Sequence, residues 1–141
     1  MNSRLFLERW LSEHEGIRLY PYKCTSGKLT IGIGRNLDSR GITFDEAHYM
    51  LKNDIKRFEQ ELTPYDFYSI QPDHIKACLI NMCFNMGLST LLKFKKMIAA
   101  LEKLDYDCAA EEALDSRWAH QVGYRARDIA SVMRNGSPVD A

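Results

Sequence analysis

Between residues 16 and 34 the chain places four of its eight glycines, Gly16, Gly27, Gly32 and Gly34, together with Pro21. No helix runs comfortably through such a stretch. Pro21 has no N–H to donate and pushes Tyr20 towards an extended conformation. Thr25-Ser26-Gly27-Lys28 is turn chemistry between two short extended runs, so residues 17–34 read as a β-hairpin. Gly32 and Gly34 leave one strand partly bare, which in a strand marks a place where another backbone or a ligand comes close. The rest of the chain is written in helical spacing. The class is therefore α+β, mainly α, with one small hairpin near the front.

The helices announce themselves by their ends. Leu7, Trp10, Leu11 and His14 lie on one face of an opening helix, with Asn2 or Ser3 as N-cap and Gly16 as terminator. Thr43-Phe44-Asp45-Glu46 is a capping box, and the pattern behind it runs unbroken to Leu62 before Thr63-Pro64 stops it. Pro72 at the first helical position opens another helix, Asp73 to Met86, with Gly87 as its C-cap. That segment is apolar nearly all round and should form the buried centre of the helical part. Further helices are expected over 91–104, 107–114 and 124–133. The resulting division is a small lobe over 15–42, a connecting helix over 43–62, and a helical lobe over 63–141 joined by the first helix, 3–14. All of it makes one domain of 141 residues.

Composition narrows the function classes. Nineteen basic and nineteen acidic side chains cancel, so no overall field recommends nucleic acid or an anionic membrane as partner. The balance is uneven, however, with seven basic against four acidic residues before Ile42, which would suit an anionic polymer. No stretch approaches the roughly 18 apolar residues of a membrane span, and the charged N-terminus does not resemble a signal peptide. The expectation is synthesis in the cytoplasm without stable membrane insertion. Cys78, Cys83 and Cys108 sit in apolar helical patterns as small buried hydrophobes, not as a disulfide framework.

Three chemically different groups flank the Gly-rich segment. Glu15 falls where the first helix ends, and the negative end of the helix dipole works against a further negative charge there. Such a carboxyl group suits a general acid, although taken alone Glu15 is one helix-end acid among many. Cys24 and Thr30 follow on the hairpin. Hydrolysis of a glycosidic bond needs an acid for the leaving oxygen and a second group that activates water or attacks directly. The thiol could serve as thiolate base, as a group that positions water, or as nucleophile. An unperturbed thiol, with a pKa near 8.5, is mostly protonated at neutral pH unless neighbours such as Lys23, Lys28 or Arg35 lower it.

The spacing Glu15, Cys24, Thr30 resembles the Glu, Asp-or-Cys, Thr signature of phage-type lysozymes of the T-even phage group. The surrounding residues carry the likeness further: Glu15-Gly16-x-Arg18-Leu19, Tyr22-Lys23, and Gly27-x-x-Thr30-Ile31-Gly32-Ile33-Gly34. It continues through Thr43-x-Asp45-Glu46-Ala47 and Ala77-Cys78-Leu79-Ile80-Asn81-Met82-x-Phe84-x-Met86-Gly87. It closes with Ser116-Arg117-Trp118, Gln121 and Arg125-Ala126, so nearly the whole chain is covered.

The resemblance implies a two-lobed lysozyme fold and an endolysin that cuts the β-1,4 bond between N-acetylmuramic acid and N-acetylglucosamine. Glu15 would be the general acid, Thr30 the holder of the attacking water, and Cys24 the variable third member. Arg125 matches the arginine that pairs with the catalytic glutamate. The helix end and that arginine act on the carboxyl in opposite senses, and the sequence leaves the balance open. Phe84 matches an aromatic of the sugar-binding cleft, and Gly34 and Arg35 adjoin the acid site as substrate contacts. Arg35 stands where the T-even enzymes carry a histidine, Asn36 replaces a leucine of the cleft, and the connection from Gly34 to the long helix is shorter. The small lobe should therefore be little more than the hairpin. The implied partner is the peptidoglycan glycan strand, met by a monomer with neither cofactor nor metal, after release to the wall by a holin-type permeabiliser during phage or prophage lysis.

Outside these positions, Trp118 reads as packing for the last helices, and Asn81 as satisfying a neighbouring backbone group. Lys93, Lys95 and Lys96 read as a solvated face that could also meet peptidoglycan carboxylates. His74 and Cys78 have metal-like spacing without a second pair of ligands. Two rival functions stand beside the muramidase: a cysteine-dependent amidase or endopeptidase, and a non-catalytic wall-binding or virion module.

Overall fold

The computed structural model describes residues 3–138. The chain divides into two compact units between Met50 and Leu51, within its longest helix. In the first unit, α1 (Ser3–Glu15) stops where Gly16 takes φ +73° and returns its N–H to the Ser12 carbonyl at 2.9 Å. Ser3 is the first helical residue of α1, and Asn2 lies outside the described residues. The chain then forms β1 (Arg18–Lys23), β2 (Leu29–Gly32) and β3 (Arg35–Asn36), an antiparallel sheet in that order. Pairing runs Tyr22 with Thr30 and Lys23 with Leu29, and it is irregular between Arg18 and Tyr22, where Pro21 has no hydrogen to give the ladder. The turn closes with Gly27 N–H on the Cys24 carbonyl at 2.8 Å and Cys24 N–H on the Lys28 carbonyl at 3.0 Å.

The sheet has three strands, one more than the expected hairpin. β3 pairs Asn36 with Thr30 and Arg35 with Ile31, and it leads straight into a one-turn helix, α2 (Leu37–Arg40). The Asn36 side chain accepts from Ser39 N–H at 3.1 Å as N-cap, and Gly41 closes α2 with φ +58°. Asp38 ties α2 to the sheet by accepting Leu29 N–H at 2.7 Å. A strand of two residues carries no periodicity, so only the caps could have signalled it.

The capping box forms as read, with Glu46 N–H on the Thr43 hydroxyl at 3.1 Å and Thr43 N–H on the Glu46 carboxylate at 2.8 Å. It starts α3 (Phe44–Leu62). Glu46 has a second partner: Arg35 clamps its two oxygens at 2.7 and 2.9 Å and also donates to the Gly41 carbonyl. That fork, with the Thr43 amide, holds the Glu46 carboxyl down at about 2.

The second unit is helical throughout the described residues. It comprises the end of α3, then α4 (Asp66–Ser69), α5 (Asp73–Met86), α6 (Leu88–Leu91), α7 (Lys95–Glu102), α8 (Tyr106–Leu114), α9 (Arg117–Val122) and α10 (Tyr124–Asn135). α5 buries Ile75, Cys78, Leu79, Met82 and Cys83, one face at i, i+3, i+4, i+7, i+8. It is thus not enclosed all round, because Asn81 and Phe84 on the remaining surface stay open. Leu62, Leu91, Met97, Leu101 and Met133 complete the core, each worth roughly 1.5–3 kcal/mol when fully buried. Pro72 is the N-cap of α5, with ψ 165°, not its first helical residue.

The single helix expected over 91–104 is broken. Lys93 and Phe94 bond back to Thr90 and Leu91 in tight turns, and α7 begins only at Lys95. Leu91 and Met97 are both buried, yet six positions apart they would point to different sides of a continuous helix. The break lets both reach the core. No glycine or proline marks it, so packing decides. Gln71 is buried and fully used: its amide donates to the Phe67 and Leu101 carbonyls, and its oxygen accepts from the Tyr106 hydroxyl.

Candidate active site

Glu15 is the last residue of α1, and the left-handed Gly16 lets the chain turn directly into the sheet. Its carboxyl group rests on the α-carbon of Gly34, where φ is +68°. A Cβ added at Gly34 would lie 2.7 Å from Glu15 Oε2 and 2.9 Å from its carboxyl carbon. Gly34, expected on a strand, instead lies in the turn between β2 and β3, where its missing side chain makes a seat for Glu15. Gly34→Ala is expected to lower glycan-cleaving activity about tenfold by displacing that carboxyl, with secondary structure retained. Unchanged turnover in the folded variant would show that the seat does not matter.

Cys24 ends the first arm of the hairpin, and Thr30 stands on β2, buried, as the cross-strand partner of Tyr22. The Thr30 hydroxyl donates to the Lys28 carbonyl at 2.9 Å. Its proton thus committed, the oxygen retains lone pairs to accept from another donor. The thiol of Cys24 lies 3.1 Å from the Ser26 hydroxyl. Its pKa is lowered to about 7, chiefly by that Ser26 hydroxyl, then by the backbone of Lys28 and Ser26, and least by the Thr30 hydroxyl. Hydrogen bonds, and not the neighbouring cations Lys23, Lys28 and Arg35, do the lowering. Cys24 and Thr30 are thereby brought together. Arg35 instead spends its guanidinium on Glu46 and Gly41, bracing the sheet to the start of α3. Asn36, where the resemblance has a cleft leucine, is the cap of α2.

In the helical unit, Phe84 is 45% exposed, its ring 5.8 Å from that of Phe58. It lines a cleft of about 430 Å³ whose walls are the apolar Leu51, Ile55, Ala77 and Ile80, with Asn81 and Arg125 as polar members. Arg125 donates through Nε to the Asn81 side-chain oxygen at 2.9 Å and through Nη2 to the Asn81 carbonyl at 3.2 Å. Asn81 therefore serves a side chain, where a backbone partner was expected. Trp118 packs as anticipated, edge-on to Phe94 and donating its indole N–H to Asn85 at 2.7 Å. Lys93, Lys95 and Lys96 border a larger cleft, about 890 Å³, with Glu112, Arg117 and Trp118.

The other cysteines are accounted for differently. Burial pushes the Cys78 thiol up to about 12 and the Cys83 thiol up to about 11, and Cys78 points its sulfur at the Ile129 carbonyl. Among the described residues, no three His, Cys, Asp or Glu side chains gather as a metal site, and no helix is long and apolar enough to cross a membrane. Sequence reading overlooked Ser26, whose only local signal was membership of a turn, and Asn81 as the holder of Arg125.

A family model described as phage lysozyme matches residues 12–134. Two proteins of Dictyostelium discoideum named as probable T4-type lysozymes 1 and 2 are 30% identical over 157 residues and 29% identical over 161 residues. Those matches take in 90% and 93% of this chain, and 92% and 95% of the relatives. The pre-baseplate central spike protein Gp5 of Enterobacteria phage T4 is 23% identical over 165 residues, covering 96% of this chain and 29% of that protein.

Proposed function

The chain belongs to the phage lysozyme family, and on that premise we propose that it is a muramidase cleaving the β-1,4 bond between N-acetylmuramic acid and N-acetylglucosamine. One observation carries the assignment of the acid: the Glu15 carboxyl is seated on Gly34 at the junction of helix and sheet. In this reading Glu15 protonates the leaving oxygen, and the Thr30 hydroxyl accepts from the attacking water. The Cys24 thiolate then acts from the turn beside it, as base or as nucleophile. Phe84 offers an exposed ring to a sugar face, and Arg125, held by Asn81, matches the arginine that the family resemblance assigns to the acid. Gly34 serves the substrate through the Glu15 carboxyl that it seats, and Arg35 acts on substrate indirectly by bracing that edge. Lys93, Lys95 and Lys96 suit the carboxylates of the same polymer.

The reaction is the part common to the family. Lysis by a phage or prophage, with a holin-type helper, is the biological setting we attach to it. A thiol amidase is less well supported, because Cys24 stands in a hairpin turn and no histidine is among the groups acting on its sulfur. Digestion of purified peptidoglycan decides between them. New reducing ends are expected; new amino groups without reducing ends would overturn the muramidase.

A further inference from the structure

The Cys24 thiol sits in a frame that none of the family motifs describes. The turn that follows it closes on itself through Gly27 N–H and the Cys24 carbonyl, and the Cys24 N–H bonds across to Lys28. This places the Ser26 hydroxyl, two residues on, 3.1 Å from the sulfur. The spacing is short for sulfur: the buried Cys78 thiol, with an ordinary carbonyl acceptor, keeps 3.6 Å. Hydrogen bonds to an ionised partner are the shorter kind, and a thiolate can only accept. Resting on the reading that Cys24 takes part in the reaction, we infer that Ser26 is a positioning residue whose hydroxyl donates to the Cys24 thiolate and holds that sulfur in its working state.

The physical case is that of a small anion receptor. Ser26 supplies a hydroxyl donor and the backbone of Lys28 and Ser26 adds to it, whereas the Thr30 hydroxyl gives its proton to the Lys28 carbonyl. Charged side chains nearby are Lys23 at the end of β1, Lys28 just before β2, and Asp38 on α2, whose carboxylate is turned to Leu29 N–H. The lowering of the thiol comes from the hydrogen bonds and not from these charges, with Ser26 the largest contributor. Removing one neutral hydroxyl should therefore do what removal of a cation would do elsewhere. The turn's other hydroxyl, that of Thr25, is not among the groups acting on the sulfur, and Gly27 has no side chain.

The test titrates the sulfur directly. In a full-length Cys108→Ala parent, the remaining buried thiols, Cys78 and Cys83, ionise only far above neutrality, so thiolate absorbance against pH follows Cys24. The parent midpoint is expected near 7. In Ser26→Ala it should rise by roughly one unit or more towards the ordinary thiol value, and wall-clearing at neutral pH should fall about tenfold with the smaller thiolate fraction. Ser26→Thr, which keeps the hydroxyl, should restore both. An unmoved midpoint in Ser26→Ala overturns the inference, as does a moved midpoint with an unmoved pH–activity profile. If Cys24→Ala clears walls at full rate, the catalytic reading of Cys24 falls by itself, while the titration still reports what Ser26 does to the thiol.

Discussion

Replacing Glu15 by Gln is expected to reduce peptidoglycan cleavage by at least about 1,000-fold while the far-UV circular dichroism stays helical. Gln has the shape of Glu, so it can occupy the seat on Gly34 and leave the turn at Gly16 undisturbed. What it lacks is a proton to deliver to the leaving oxygen. The loss should therefore appear in turnover, with binding of chitin-like oligosaccharides little changed. A variant that keeps even a tenth of the parental rate would show that another group supplies the proton. Comparison with Gly34→Ala is expected to separate two ways of failing, loss of the proposed proton donor and its displacement.

For Cys24 the expected result has a direction in pH as well as in rate. Cys24→Ala should lose at least about 100-fold, and Cys24→Asp should keep most of the activity, because a carboxylate can do the work of a thiolate. The thiol is lowered from the ordinary range to about 7. If its ionised form is the working one, activity climbs as pH rises through about 7 and is lost below it, in a profile measured on intact walls. In Cys24→Asp that acidic limb should move down towards the carboxylate range, near 4. A limb that stays at 7 in the Asp variant would mean that some other group titrates there. Full activity in Cys24→Ala would make the thiol a bystander. The anomer released tells base from nucleophile, since a base gives inversion and a covalent thiol intermediate gives retention.

What could be read from the sequence was what is local. The Thr43–Glu46 box, the stop after Leu62, and the Gly87 end of the central helix are encoded within four residues of where they act, and each formed as read. The features missed are those settled by distant partners or by very short elements. The break before Lys95 follows from burying both Leu91 and Met97, and no neighbouring residue announces it. β3 has two residues and no alternation to detect. Of the site, the type and order of Glu15, Cys24 and Thr30 were legible, as was the bareness of Gly34. The reason for that bareness, the seat beneath Glu15, was not. Nor was the origin of the lowered thiol, because lysines adjacent in sequence draw the eye before a serine in a turn does. The grip of Asn81 on Arg125 joins positions 44 apart and leaves no trace in either neighbourhood.

That contrast in sequence separation has a consequence for how the chain assembles. The ties that shape the sheet are short: Cys24 to Ser26, Thr30 to Lys28, Leu29 to Asp38, with Arg35 to Glu46 spanning 11 residues. In the helical unit the ties reach 30, 44 and 51 residues, from Gln71 to Leu101, Asn81 to Arg125 and Cys78 to Ile129. Closing a loop of about 44 residues costs roughly 1.2 kcal/mol more entropy than closing one of about 11. Because a ribosome delivers a chain from its N-terminal side, the sheet has all its partners once Glu46 is made, well before Arg125. The Asn81–Arg125 tie waits for α10, the last helix among the described residues. The groups around Cys24 and Thr30 are thus tied early, and the long-range ties of the helical unit set the pace of completion.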